Sequence, residues 1–98
     1  MGGLGQALPS EEQVAELLRE TATAHRLAFE STQGFDPDWP AWYAGYLAVP
    51  LGRLLGRALH VEALAAELKA LDEAQRRDAP DAEWPVYYAA LLVQRSAT

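Results

Sequence analysis

Apolar residues recur about every 3.6 positions through most of the chain, and no stretch sustains an alternation of period two. That periodicity predicts amphipathic helices and no sheet. Val14, Leu17, Leu18, Thr21, His25, Ala28 and Phe29 fall on one face of a first helix. Its start is marked by Pro9 and the capping box Ser10-Glu-Glu-Gln13, with Glu11 and Glu12 in the turn where the helix dipole favours anions. Its end is expected between Ser31 and Gln33, ahead of Gly34. A second helix opens at Trp39-Pro40, with Trp39 as an extended N-cap and Pro40 as the first helical residue, and is expected to stop before Pro50. A third carries Val61, Leu64, Leu68, Leu71 and Gln75 as its inner stripe, with Asp72–Arg76 and Glu73–Arg77 as favourable pairs one turn apart. A fourth opens at Trp84-Pro85. The expectation is an all-α domain of four helices, over residues 10–32, 39–48, 60–77 and 84–95. A short helical connection is placed at 51–57, where two glycines disfavour a long helix. Residues 1–9 are expected to form a flexible tail before a single domain spanning 10–98.

The second and fourth helices share a frame. Asp36-Pro-Asp-Trp-Pro-Ala-Trp-Tyr-Ala-Gly-Tyr-Leu47 aligns with Asp81-Ala-Glu-Trp-Pro-Val-Tyr-Tyr-Ala-Ala-Leu-Leu92 at a constant offset of 45. Two rare Trp-Pro pairs in one register point to an internal duplication, with two helix-turn-helix units of one long and one short helix each. The frame reads first as a helix-start and packing device, and alternatively as paired aromatics lining a ligand groove or docking surface. Trp39 is placed to cover Tyr43 one turn on, and Trp84 to cover Tyr88, while Asp38 and Glu83 sit at the positive helix ends.

The stretch from Ala24 and His25 to Phe29 is followed by Gly34-Phe-Asp-Pro-Asp-Trp-Pro-Ala-Trp-Tyr-Ala-Gly-Tyr-Leu47. A Leu54-Leu-Gly-Arg57 connection, Leu71-Asp-Glu-Ala74 and Glu83-Trp-Pro-Val-Tyr-Tyr-Ala89 come next. Over Ser10 to Leu92 the chain resembles a family of short bacterial all-helical proteins whose activity is not established. The resemblance implies the helical fold and no particular reaction. In that family a second His often follows the first, where this chain has Arg26, so no metal site is implied.

Charge narrows the field. The formal net charge is −6, and Arg76-Arg77 is the longest basic run, so nucleic acid and anionic membranes are not expected partners. The chain contains no cysteine, which removes thiolate catalysis, disulfides and cysteine-based metal sites and fits a cytoplasmic setting. The apolar stretch from Tyr46 to Gly52 is far short of a membrane span. No phosphate-binding glycine loop or nucleophile elbow is present, and no cofactor is expected.

His25, on the inner stripe of the first helix, is the one candidate for acid–base or ligand chemistry, with Glu30 a possible but poorly directed partner. A lone His with no nucleophile or second His at working spacing more often fills a hydrogen-bonded core position. His60 reads as a helix-start residue and diverges from Glu62. No inward Glu-x-x-His motif exists, so no metal site is expected. Gly52-x-x-x-Gly56 and Leu51-x-x-Leu-Leu55 read as packing rather than docking motifs. Val86 and Val93 point away from the main apolar side of the fourth helix and predict a self-association surface. The functions expected, in order, are a homodimeric interaction or regulatory module, a small-ligand binder whose cleft is lined by His25, Trp42, Tyr43 and Tyr46, and an acid–base enzyme using His25.

Overall fold

The computed structural model describes residues 10–96; the tail expected over residues 1–9 lies outside them. In order along the chain come α1 (Glu11–Ala28), a 3-10 turn (Glu30–Thr32), α2 (Trp39–Leu55), α3 (Val61–Asp78) and α4 (Trp84–Ser96). No strand occurs among the described residues.

The first helix starts where its capping chemistry dictates. The Ser10 hydroxyl accepts from the Gln13 N–H at 3.0 Å, and the Gln13 side chain accepts from the Ser10 N–H at 3.1 Å. It ends sooner than Gly34 suggests. After Ala28 the chain tightens into the 3-10 turn, then passes through left-handed Gln33 (φ 58°) and Gly34 (φ 85°). The Gly34 N–H closes this turn on the Phe29 carbonyl at 2.8 Å.

Helix α2 departs from expectation at both ends. Asp38, not Trp39, is the N-cap, and its carbonyl receives the Ala41 and Trp42 N–H groups. The cause is the turn just before it. The Asp36 carboxylate accepts the Asp38 N–H and the Asp36 carbonyl accepts the Trp39 N–H, which sets helical backbone before the proline is reached. At the other end α2 runs through Pro50 to Leu55, absorbing the separate connection expected at 51–57. Proline removes one donor and leaves the Tyr46 carbonyl without its helical partner. Leu47 and Leu51 flank Pro50 on the inner side and are both fully buried, so continuing the helix keeps both in the core.

The helix stops at Gly56 (φ 76°), where the Gly56 and Arg57 N–H groups both return to the Gly52 carbonyl. The tight reversal brings the Arg57 carbonyl within 2.7 Å of where a Cβ on Gly52 would stand. The Gly52-x-x-x-Gly56 spacing is thus a helix-end device. His60 precedes α3 in extended conformation, as a helix-start residue.

The long helices bury matching positions fifty residues apart. Val14, Leu18, Thr21 and His25 of α1 correspond to Leu64, Leu68, Leu71 and Gln75 of α3. Val61, placed on the inner stripe from sequence, lies at the very start of α3 and is 44% exposed. α2 and α4 match at the offset of 45, with buried Ala44 and Leu47 corresponding to buried Ala89 and Leu92; because it continues through Pro50, α2 is 17 residues long and not the short helix expected. Helices do not pair chiefly within each half. α1 packs most extensively on α4, and α2 on α3, so each Trp-Pro helix covers the first helix of the other half. Ion pairs join the halves at the surface (Arg19–Glu83 at 3.7 Å and Arg95–Glu67 at 2.9 Å). Being largely hydrated, they add little to stability.

Candidate functional site

The ends of all four helices meet around one open cleft of about 670 Å³. It receives the last turns of α1 and α3, carrying His25 and Gln75, and the first turns of α2 and α4, carrying Trp39 and Trp84. Tyr43 and Tyr88, one turn further along α2 and α4, complete its wall, and the loop from Gly34 to Pro37 forms one rim. Its size falls in the range typical of sites for small organic ligands.

His25 is held by one carboxylate and three rings. Its Nε2 lies 3.1 Å from Asp36 Oδ2, and both side chains are 9% exposed. The rings of Phe29, Trp42 and Tyr43 surround the imidazole at centroid distances of 4.8, 5.1 and 5.1 Å. The partner is therefore Asp36, not Glu30, which lies exposed in the 3-10 turn. Asp36 is itself fixed, because its second oxygen accepts the Asp38 N–H at 3.0 Å. Gln75 plays the corresponding part in the other half. Its Nε2 donates to the Ala82 carbonyl at 2.7 Å. In both halves, then, a polar side chain in the last turn of a long helix ties down the loop that precedes a Trp-Pro pair.

The aromatic staples form as the frame implies. Trp39 and Tyr43 meet edge-to-face at 5.5 Å, and Trp84 and Tyr88 at 5.0 Å. Tyr43 also meets Trp84 at 6.0 Å, so the two staples join into one run of rings across the halves. Burial raises the pKa of both phenols. For Tyr88, loss of hydration is the leading cause and the neighbouring Asp72 carboxylate adds to it. For Tyr43, loss of hydration is partly offset by the positive charge of Arg26.

Of the four residues placed in a ligand cleft from sequence, the fold brings two together there. His25 and Tyr43 line the cleft; Trp42 and Tyr46 do not. Trp42 closes the outer side of His25 and stacks on Tyr46 at 5.5 Å, and Tyr46 is largely turned to solvent. Sequence reasoning did not assign Asp36, Asp72 or Gln75 to the cleft, and reached α4 only through the alternative that the paired aromatics of both frames line a groove. The signal for α4 was present in the offset of 45, since equivalent residues facing one axis line one space. Val86 is exposed, whereas Val93 is partly buried against the core, so the two do not form one open patch.

Among the described residues no group of three or more His, Asp or Glu is placed to hold a metal ion, and no described helix is long and apolar enough to cross a membrane. The chain matches no family model, no curated protein and no solved structure.

Proposed function

We propose that this protein is a small-ligand-binding module whose site is the cleft between the four helix ends. The observation that carries the reading is the placement of four aromatic side chains from two matching helices along a single open space, Trp39, Tyr43 and Trp84 partly exposed to it and Tyr88 reaching it from the core. Aromatic walls with a few fixed polar groups are what small-molecule sites are made of. His25 serves here as a positioned wall residue: its Nε2 is engaged by Asp36, and Phe29, Trp42 and Tyr43 pack around its ring. An acid–base enzyme is accordingly the weaker reading.

In this proposal the two halves descend from one helix-turn-helix unit, and the cleft arose where the copies face each other. The cysteine-free chain suits action in the cytoplasm. The test is a thermal-shift and tryptophan-fluorescence screen of a chemically diverse small-molecule collection. It is run on the native chain and on Ala82→Phe, which fills the cleft from an exposed lining position. Compounds that stabilise the native chain and not Ala82→Phe support the reading. Absence of any hit, or hits that stabilise both alike, overturns it.

A second reading, self-association, is supported by apolar side chains left in solvent. Tyr46 and Val49 are 42% and 61% exposed on α2, and Val86 is 46% exposed on α4. Light scattering at high micromolar concentration decides this. A dimer lost in Tyr46→Glu or Val86→Glu supports it, and a strict monomer ends it.

A further inference from the structure

We infer that the cleft selects organic cations, an alkylated ammonium group carried on a compact body. This rests on the cleft being a ligand site, as proposed above. Trp39, Tyr43, Trp84 and Tyr88 form an unbroken run of edge-to-face neighbours with centroids 5.5, 6.0 and 5.0 Å apart. Successive rings in such a run are turned to one another rather than stacked. The run lines one side of the space, with Trp39, Tyr43 and Trp84 partly exposed there and Tyr88 nearly buried at its end. Aromatic faces attract cations through the ring quadrupole, and clusters of Trp and Tyr are the usual means of holding alkylated ammonium groups.

The polar lining has one sign. Asp36 and Asp72 are the charged side chains that line the cleft, and no Lys or Arg lines it. The two other polar groups offer acceptors. Gln75 uses its N–H on the Ala82 carbonyl, leaving Oε1. His25 uses Nε2 on Asp36, leaving Nδ1. No buried side-chain nitrogen or oxygen lacks a partner among the described residues, so both of those atoms remain reached by solvent.

Three backbone donors at the rim are already committed. The Gly34, Asp38 and Trp39 N–H groups bond to Phe29 and Asp36. An anion entering this cleft would face two carboxylates and no cationic side chain in its lining. A cation would find the reverse of that deficit.

Three features bear on the sign from outside the lining: Arg26, Arg76 and the helix dipoles. Arg26 acts on Tyr43 but is exposed, so its charge is screened by solvent. Arg76 pairs with Asp72 at 3.0 Å, but its side chain is 78% exposed and meets the carboxylate from solvent, where its charge is screened. The helix dipoles cancel to first order. Two C-terminal turns and two N-terminal turns end at the cleft, which leaves the side chains to decide the sign.

The test uses three probes of one shape and different charge on the full-length native chain. They are choline, its uncharged carbon isostere dimethylbutanol, and the matching carboxylate dimethylbutyrate. Binding is read from the indole N–H resonances at low ionic strength. Choline is expected to move the Trp39 and Trp84 signals and to bind about tenfold more tightly than the alcohol; the carboxylate is expected to leave them in place. Asp72→Asn keeps the shape of the side chain and is expected to weaken choline about fivefold while leaving the alcohol unchanged. That split is one a purely structural role for Asp72 would not produce. Equal binding of choline and the alcohol, or tighter binding of the carboxylate, overturns cation selection and leaves the ligand-cleft reading intact. Silence of both indole signals with all three probes also overturns it, while the broader screen above judges the cleft itself.

Discussion

Two polar side chains, His25 and Gln75, occupy equivalent buried positions and carry out the same structural task with different chemistry. Each ends a long helix and anchors the loop that launches a Trp-Pro pair. For His25 the anchor is the Asp36 carboxylate, which also accepts the Asp38 N–H. Asp36→Ala removes both bonds at once and leaves the imidazole facing no acceptor. The expected cost is about 1–3 kcal/mol, measured by urea unfolding. Asp36→Asn retains acceptor oxygen and is expected to lose clearly less. Equal losses for the two variants would show that the acceptor role is not what matters.

The phenols make a second prediction. Tyr43 and Tyr88 have pKa values raised above 10.0 in the folded chain, chiefly through lost hydration. The unfolded chain therefore gives up these protons first as pH rises. Their contribution to stability is complete below pH 10.0 and is lost as pH climbs from there toward the folded values. The urea midpoint should fall steeply above pH 10.0, and Tyr88→Phe should make that fall shallower. An unchanged slope in Tyr88→Phe would refute the assignment. The position of His25 on an inner face, within reach of the α2 rings, was legible from helical spacing alone. Its partner was not. Asp36 reaches it only because left-handed Gln33 and Gly34 fold the loop back over the end of α1, and spacing along the chain carries no sign of that.

Helix starts were easier to read than helix ends, and the reason is physical. Starts are announced by side chains that bond to free N–H groups, such as Ser10 and Gln13, or by Trp-Pro pairs. Ends depend on what the following backbone touches. Pro50 signals a break by its local chemistry, yet two fully buried leucines on either side of it favour continuing, and burial wins.

Two glycines within the same helix separate these effects. Gly45 is exposed, and a Cβ placed on it would meet nothing within 4 Å, so Gly45→Ala should stabilise α2 by about 0.5–1 kcal/mol. Gly52 gains the same propensity but meets the Arg57 carbonyl at 2.7 Å. Backbone cannot move aside cheaply, so Gly52→Ala should destabilise by about 1–2 kcal/mol. Thermal unfolding of the two variants should therefore shift in opposite directions. A gain in both would mean that the reversal after Gly56 yields without cost.

The cross-pairing of helices governs how the whole molecule holds together. A repeat read from sequence suggests two self-contained hairpins, because the offset of 45 was visible only in α2 and α4. The matching stripes of α1 and α3, fifty apart, were equally present as Val14, Leu18, Thr21 and His25 against Leu64, Leu68, Leu71 and Gln75. The two offsets differ because the second connecting loop is shorter, which hides the relation from an alignment at constant spacing. Once the helices are packed, the principal partner of α1 is α4 and that of α2 is α3. Neither half keeps its main apolar contacts when separated. A piece covering residues 10–57 should lack cooperative unfolding as a monomer, as should one covering 58–98, because isolated helices of this length are marginal in water. Mixed in equal amounts, the pieces should recover helical circular dichroism and form a one-to-one complex, since the surfaces that recognise each other belong to opposite halves. A monomeric 10–57 piece that melts cooperatively by itself would show that the hairpin, not the cross-pair, is the unit of stability.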